Sequence, residues 1–491
     1  MMITMLLTLA ACSKDTEECI ADGIGPMYNM TDEAAEELGA GTGDGDRVGK
    51  LVENPFISTA EENVSTFSAD VDTASYAYFR RLLQSGYSLS ELIATAGDSI
   101  RTEEMLNYFD YGYDAPAEGE LFSARMQIAP CPWNEDARLL TLGLQAKKVE
   151  TAAKNNLVFL IDVSGSMNSD DKLGLLKTAF SYLTAQLGAD DTVSIVTYSG
   201  KEQVVLEGCD GNHREAILYA VDSLTAGGST NGEAGLQRAY ELAEKYFIAD
   251  GNNRIVMASD GDLNVGISSA DELEDFVSEK RESGVFLSVL GFGTGNYRDD
   301  RMERIADCGN GVYYYIDSES EAERVFGDKL FSTLYTVAKD VKLQMTFAPE
   351  AVSAYRLVGY ENRILNREDF EDDTKDAGEL GAGHSLTVCY ELILTDAAME
   401  TERWMTLDVR YKAPDGDKSE EDSYDFGRSC YTDTPDERFR FICTVVETSM
   451  LLHESEYGKG VTIEGIKAEL DALTLDDEYM AQFRDLIGKL V

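Results

Sequence analysis

Apolar residues follow two different periods along this chain, and the change of period divides it. Between residues 155 and 338, short apolar runs alternate with stretches that repeat every three to four residues. The runs at 157–161, 192–198, 203–206, 255–259, 286–291 and 311–316 read as strands. Most lack a polar face, as strands covered on both sides do. Between the first two, Leu173, Leu176, Phe180, Leu183 and Leu187 form one stripe of a helix. Further helices are expected at about 213–224, 233–248, 270–283, 298–307 and 320–337. Strand and helix in alternation predict an α/β fold with a parallel, doubly wound, Rossmann-like sheet. Short connections and right-handed crossovers then bring the ends of the runs at 157–161 and 255–259 together.

Outside that region the period is two. Val341, Leu343, Met345 and Phe347 alternate with Lys342, Gln344 and Thr346, and strands continue at 355–357, 385–394 and 404–411. Before the α/β region, strands at 121–129 and 138–144 flank the turn at 130–134. We expect these two sets to form one sandwich-like module interrupted by the α/β domain. Asp72 or Thr73 caps a helix that runs to about Gln84 and presents Ala77, Phe79, Leu82 and Leu83. Capping is also the expected use of Asp70 and Asp72, since the glycine and terminal glutamate of a calcium loop are missing. A second helix is expected at about 101–109. From Asp436 the chain turns helical, with stripes on Phe441, Val445, Val446 and Met450, then on Ile466, Leu470 and Leu473, then on Phe483, Leu486 and Leu490. The expected organisation is an accessory region at 54–150, the α/β domain at 155–338, a β-rich domain at 339–435 and a helical region at 436–491.

Residues 1–11 are apolar and lead to Cys12. Leu9-Ala10-Ala11-Cys12 resembles the bacterial lipobox at the end of a short, truncated-looking signal peptide. The resemblance implies lipidation at Cys12 and a protein anchored in the bacterial cell envelope, facing the periplasm or the exterior. Residues 12–53 are acidic and glycine-rich, and read as a flexible tether. No other apolar stretch is long enough to cross a membrane.

Charge narrows the partners. The chain carries 91 acidic against 42 basic residues, a formal net charge of −49. A nucleic-acid backbone would be repelled. The three histidines, His213, His384 and His453, are far apart and form no His-Glu-x-x-His, which speaks against zinc hydrolase chemistry. There is no Cys-x-x-Cys pair, and removing Cys12 leaves an odd number of cysteines, so at least one is free or pairs between chains.

The chemistry concentrates where the first long apolar run stops. It ends in Asp162-Val-Ser164-Gly-Ser166, one carboxylate and two hydroxyls at the C-terminal end of a strand, where open α/β sheets bind ligands. The loop Gly227-Gly-Ser229-Thr230 opens a later helix, and the run at 255–259 ends in Asp260. All-oxygen ligands suit a hard divalent cation, Mg²⁺ first, with Mn²⁺ or Ca²⁺ possible. This order resembles the metal-ion-dependent adhesion site (MIDAS) of von Willebrand factor type A (VWA) domains. A wider resemblance is to the bacterial VWA lipoproteins of the YfbK type. It is carried by Asn54-Pro-Phe-Ile-Ser-Thr-Ala60, Asp70-Val-Asp-Thr-Ala-Ser-Tyr76, Ala129-Pro-Cys-Pro-Trp-Asn134, Ser259-Asp-Gly-Asp-Leu-Asn-Val-Gly266 and Gly359-Tyr-Glu-Asn-Arg363.

That resemblance implies a VWA domain flanked by a β-sandwich-like module and helical N- and C-terminal regions. It also implies metal ligation by the hydroxyls of Ser164, Ser166 and Thr230, with Asp162 and Asp260 acting directly or through water. Ser229 is the alternative to Thr230, because the loop register is open by one residue. The implied function is non-enzymatic: capture of a partner protein's exposed Asp or Glu through the cation. One alternative is a structural or chaperone-like part of an envelope complex with a purely stabilising metal. A metal-dependent hydrolase is a third reading, against which stands the lack of Gly-x-Ser-x-Gly.

Overall fold

A computed structural model describes residues 51–149, 154–228, 233–249, 251–261, 270–281, 283–293, 299–329, 334–414, 416 and 418–490. The signal segment, Cys12 and nearly all of the tether lie outside them. Within the α/β region six strands form one sheet in the spatial order Tyr313–Ile316, Phe286–Phe292, Asn252–Ser259, Asn155–Asp162, Thr192–Tyr198, Gln203–Asp210. The two central strands run parallel, with Ile161 opposite Ala258. Asp162 and Asp260 therefore emerge side by side at one end of the sheet. Every residue of Asn155–Asp162 is buried, which is why the sequence there shows no alternation.

Two expectations for this region need correction. The sheet is not wholly parallel: Gln203–Asp210 pairs antiparallel with Thr192–Tyr198. Four residues separate the two strands, enough for a hairpin but not for a crossover. The helix expected at about 320–337 is also shorter. It runs over Glu319–Glu323 and continues as a π turn at Arg324–Asp328; 330–333 lie outside the described residues, Leu334 is helical, and Thr336 already belongs to a strand.

Two further sheets lie beside this domain. One has the order Ile57–Ser58, Val352–Val358, Ser385–Leu394, Arg138–Ala146, Phe122–Pro130; the other has Ile364–Leu365, Val64–Ser68, Thr336–Phe347, Arg403–Lys412, Ser419–Gly427. Strands from before and after the α/β domain interleave in both. The sheets meet through aromatic contacts: the Phe347 ring stacks on Tyr355 at 4.4 Å, and Phe122 meets Tyr411 edge-on at 5.0 Å. The strand Val64–Ser68 was not foreseen from the sequence, although all five of its residues are buried.

The helices Glu437–Leu452, Ile463–Ala472 and Glu478–Lys489 close the chain. Asp436, Thr462 and Asp477 cap them, each accepting from a backbone N–H three residues on. Phe109, Phe441 and Phe483 pack mutually edge-on, tying the first and last helical regions into one core. The whole is a mixed α/β architecture, with the six-stranded sheet flanked by extra β-sheet and helices.

Candidate metal centre

Asp162 ends its strand fully buried. Its Oδ1 accepts from the Ser164 backbone N–H at 2.8 Å, and its Oδ2 from the Ser259 hydroxyl at 3.4 Å. The Ser164 and Ser166 hydroxyls lie 2.9 Å apart, with Ser164 buried and Ser166 open to solvent. The Gly227–Gly228 turn is stitched to this loop: Gly227 N–H donates to the Val163 carbonyl at 2.8 Å, and Gly165 N–H to the Gly228 carbonyl at 3.2 Å. Gly228 sits at φ +91°, a conformation that costs a residue with a Cβ but not glycine. Ser229 and Thr230 themselves lie outside the described residues, as do Asp262 and Asn264. Asp162, Ser164, Ser166 and Asp260 are brought together.

Burial, with the charge of Asp260 adding to it, pushes the Asp162 carboxyl up to about 6. Among the described residues the buried Asp260 Oδ1 has no hydrogen-bond partner, while Oδ2 accepts from the Lys172 ammonium at 2.8 Å. The donor set is oxygen only and includes an orphaned carboxylate oxygen, which fits a hard divalent cation. The sequence reading did not include Lys172. It sits in the π turn Asp170–Gly174 and also donates to the Ser166 carbonyl at 3.0 Å. Its stem crosses Gly293, where a Cβ would lie 2.1 Å from Lys172 Cε. A basic residue six positions after the second serine was the available signal.

A second cluster was misread from the sequence. Asp70, Asp72 and Glu303 are buried and bring ligand oxygens within 4.8 Å of one another, a spacing able to coordinate a divalent cation. Asp70 and Asp72 do not cap the helix Ala74–Gln84; Thr73 holds the cap position and makes no side-chain bond there. Asp70 instead accepts from Arg363 Nε at 2.9 Å, and Asp72 from the Tyr313 backbone N–H at 3.0 Å, on the outermost strand of the central sheet. Arg363 also reaches Glu303 at 2.8 Å and Asp307 at 2.7 Å, and Arg101 reaches Glu303 at 2.8 Å. Two guanidinium groups counter these carboxylates, whereas at the Asp162 site one ammonium faces two.

Two of the three histidines are held by the backbone. His384 Nδ1 accepts from the Gly381 N–H at 3.0 Å, and the His453 ring bonds the Ile100 carbonyl at 2.6 Å. Six cysteines fall among the described residues, and all are free; burial pushes the thiols of Cys131, Cys389 and Cys443 up.

Comparison with known proteins agrees with this geometry. Residues 156–328 match the von Willebrand factor type A domain, 43–141 the family described as von Willebrand factor, and 332–490 the family described as "Uncharacterized protein YfbK, C-terminal". The chain is 40% identical to the uncharacterised protein YfbK of Escherichia coli over 463 residues, 89% of this chain and 79% of that protein. It is 28% identical to the uncharacterised protein sll0103 of Synechocystis over 47% of this chain and 54% of that one. Among solved structures, a von Willebrand factor type A protein from Catenulispora acidiphila superposes with a TM-score of 0.41 at 16% identity, over 76% of this chain and 93% of that one. The relationship to the Escherichia coli protein supports a bacterial origin, and the type A assignment is consistent with a non-enzymatic scaffold. With such identity sustained across most of both proteins, and the type A match spanning the Asp162 loop, the chain belongs to the YfbK family of von Willebrand factor type A proteins.

Proposed function

We propose that this protein is a membrane-anchored, cation-dependent binding module. Asp162, Ser164, Ser166 and Asp260, with Thr230 from the adjoining loop, would hold Mg²⁺, or Mn²⁺ or Ca²⁺ in its place. When bound, the cation supplies an electrophilic position for an acidic side chain of a partner protein. The observation that carries this reading is Asp260 Oδ1, a buried carboxylate oxygen with no partner among the described residues, beside a second buried carboxylate. Lys172 supports it. With both aspartates ionised the three side chains sum to one negative charge, so a divalent ion leaves the site positive toward an incoming carboxylate.

The net charge of −49 sharpens this argument. An acidic partner is repelled at long range, though salt screens that repulsion beyond ~8 Å at physiological ionic strength. Recognition must then rest on one short-range, locally positive contact, and this site can become one. A pull-down from bacterial envelope extract with Mg²⁺ and with EDTA tests the reading. We expect a partner retained only with Mg²⁺. Retention in EDTA rules out capture through the cation, and the structural or chaperone-like alternative then takes its place.

Anchoring rests on the Leu9-Ala10-Ala11-Cys12 motif. Two or more acyl chains on Cys12 suffice for stable attachment. Cys12→Ala should move the protein from the membrane fraction to the soluble one. A variant that still pellets with membranes at both low and high salt would show that something other than a lipid holds it.

A further inference from the structure

The C-terminal helices carry a second site that is not lined by any residue of the Asp162 centre. A cavity of about 420 Å³ opens between the helices Glu437–Leu452 and Ile463–Ala472 and the end of the strand Phe122–Pro130. That volume lies within the range of small-ligand pockets. Its walls include Pro130, Pro132, Phe439, Val461 and Ile466. Phe439, Cys443 and Glu447 recur every four residues and share one face of the first helix, while Ile466 and Glu469 share a face of the second.

Three carboxylates line this apolar cavity, with one cation among them. Arg440 Nε donates to Glu469 at 2.6 Å, and the Tyr431 hydroxyl donates to Asp433 at 2.6 Å. Glu447 has no hydrogen bond or ion pair among the described residues. Burial, and then the neighbouring Glu469, push its carboxyl up to about 7. A half-buried carboxylate against apolar walls is a costly arrangement unless something positive comes to it.

We propose that this cavity binds a cationic aliphatic group, an ammonium or guanidinium on an apolar stem, with the head on Glu447 and the stem along Phe439 and Ile466. Lys and Arg side chains have this chemistry, since they lay an apolar stem on hydrophobic surface and keep a charged tip. Free alkyl amines have it too. The acidic surface of the chain favours the approach of either.

The test is calorimetric titration of the whole chain at 0.15 M salt with four probes: N-acetyl-lysine amide, N-acetyl-arginine amide, cadaverine and N-acetyl-norleucine amide. Norleucine keeps the stem and removes the charge. We expect at least one cationic probe to bind at least tenfold more tightly than norleucine amide, and Glu447→Gln to erase that preference. The substitution is nearly isosteric, so the fold should be kept, and circular dichroism checks it. Preference for the amino-acid amides over cadaverine would assign the site to a partner's side chain; the reverse would assign it to a free amine. Diffuse attraction cannot imitate the result, because Glu447 is one of 91 acidic residues and its removal barely alters the overall field. Equal binding of lysine and norleucine amides, unchanged affinity in Glu447→Gln, or no binding by any probe overturns the proposal.

Discussion

Asp162→Ala should abolish the stabilisation that Mg²⁺ confers on this protein and, with it, capture of the partner. For a cation that binds only the folded chain, stabilisation is RT ln(1 + [L]/Kd), about 1.4 kcal/mol at roughly ten times Kd. The variant should show none of it. Its metal-free fold should survive, because the removed carboxylate is buried and raised to about 6 by that burial and by Asp260. Asp162→Asn keeps an acceptor for the Ser164 N–H and should behave alike, which separates loss of charge from loss of that bond. Lys172→Met should do the opposite. Without the ammonium on Asp260 the site holds one more uncompensated negative charge, so it should bind Mg²⁺ more tightly and a partner carboxylate more weakly. Melting curves across an Mg²⁺ titration, read with partner capture, measure all three. If the Mg²⁺ shift persists in Asp162→Ala and vanishes in Asp72→Asn, the working cation lies in the Asp70–Asp72–Glu303 cluster instead.

Arg363→Ala should strongly destabilise the fold. The guanidinium is only 11% exposed and contacts Asp70, Glu303 and Asp307 directly. It joins the segment before the first helix, a helix of the α/β domain and the loop after Val352–Val358. Removing one partner of a buried ion pair costs about 3–5 kcal/mol, because the other charge is left uncompensated. Here Arg101 remains as partial relief on Glu303.

The loss should depend on pH, and its sign follows from the carboxyls. Burial first, against the pull of Arg363, already holds Asp72 and Glu303 well above the ordinary range, and Asp307 is raised as well. Groups raised in the folded state favour it while they are protonated, and that contribution fades as pH rises through their folded values. Without Arg363 they rise further. The deficit should therefore be largest near pH 7.5 and shrink toward pH 5. Urea unfolding at both values measures it; a deficit under about 1 kcal/mol at neutral pH, the scale of an exposed pair, would mean the network carries little.

The strands of the central sheet, and the shared loop of Asp162, Ser164 and Ser166, were legible in the sequence because both rest on local regularities, whereas the antiparallel pairing of Gln203–Asp210 was not. A strand covered on both faces must be apolar at every position, so Asn155–Asp162 is legible without a partner in view. Asp162, Ser164 and Ser166 are covalent neighbours, and their spacing puts them on one loop whatever else the chain does. Right-handed connection between parallel strands then brings Asp260 alongside. Other features became visible only in three dimensions. Val64–Ser68 carries no strand pattern that stands out in the sequence, yet it is buried between Thr336–Phe347 and Ile364–Leu365, with the Ser65 and Thr66 hydroxyls bonded to Tyr390 and Gln344. Asp70 looks like a cap to its neighbours, but its partner lies 293 residues away in Arg363. Lys172 looks like an ordinary helix-start lysine until Gly293 clears its path to Asp260. Local propensities bias each segment whatever lies beside it, whereas a buried charge answers to whichever opposite charge the folded chain sets next to it, and nothing in sequence distance encodes that neighbour.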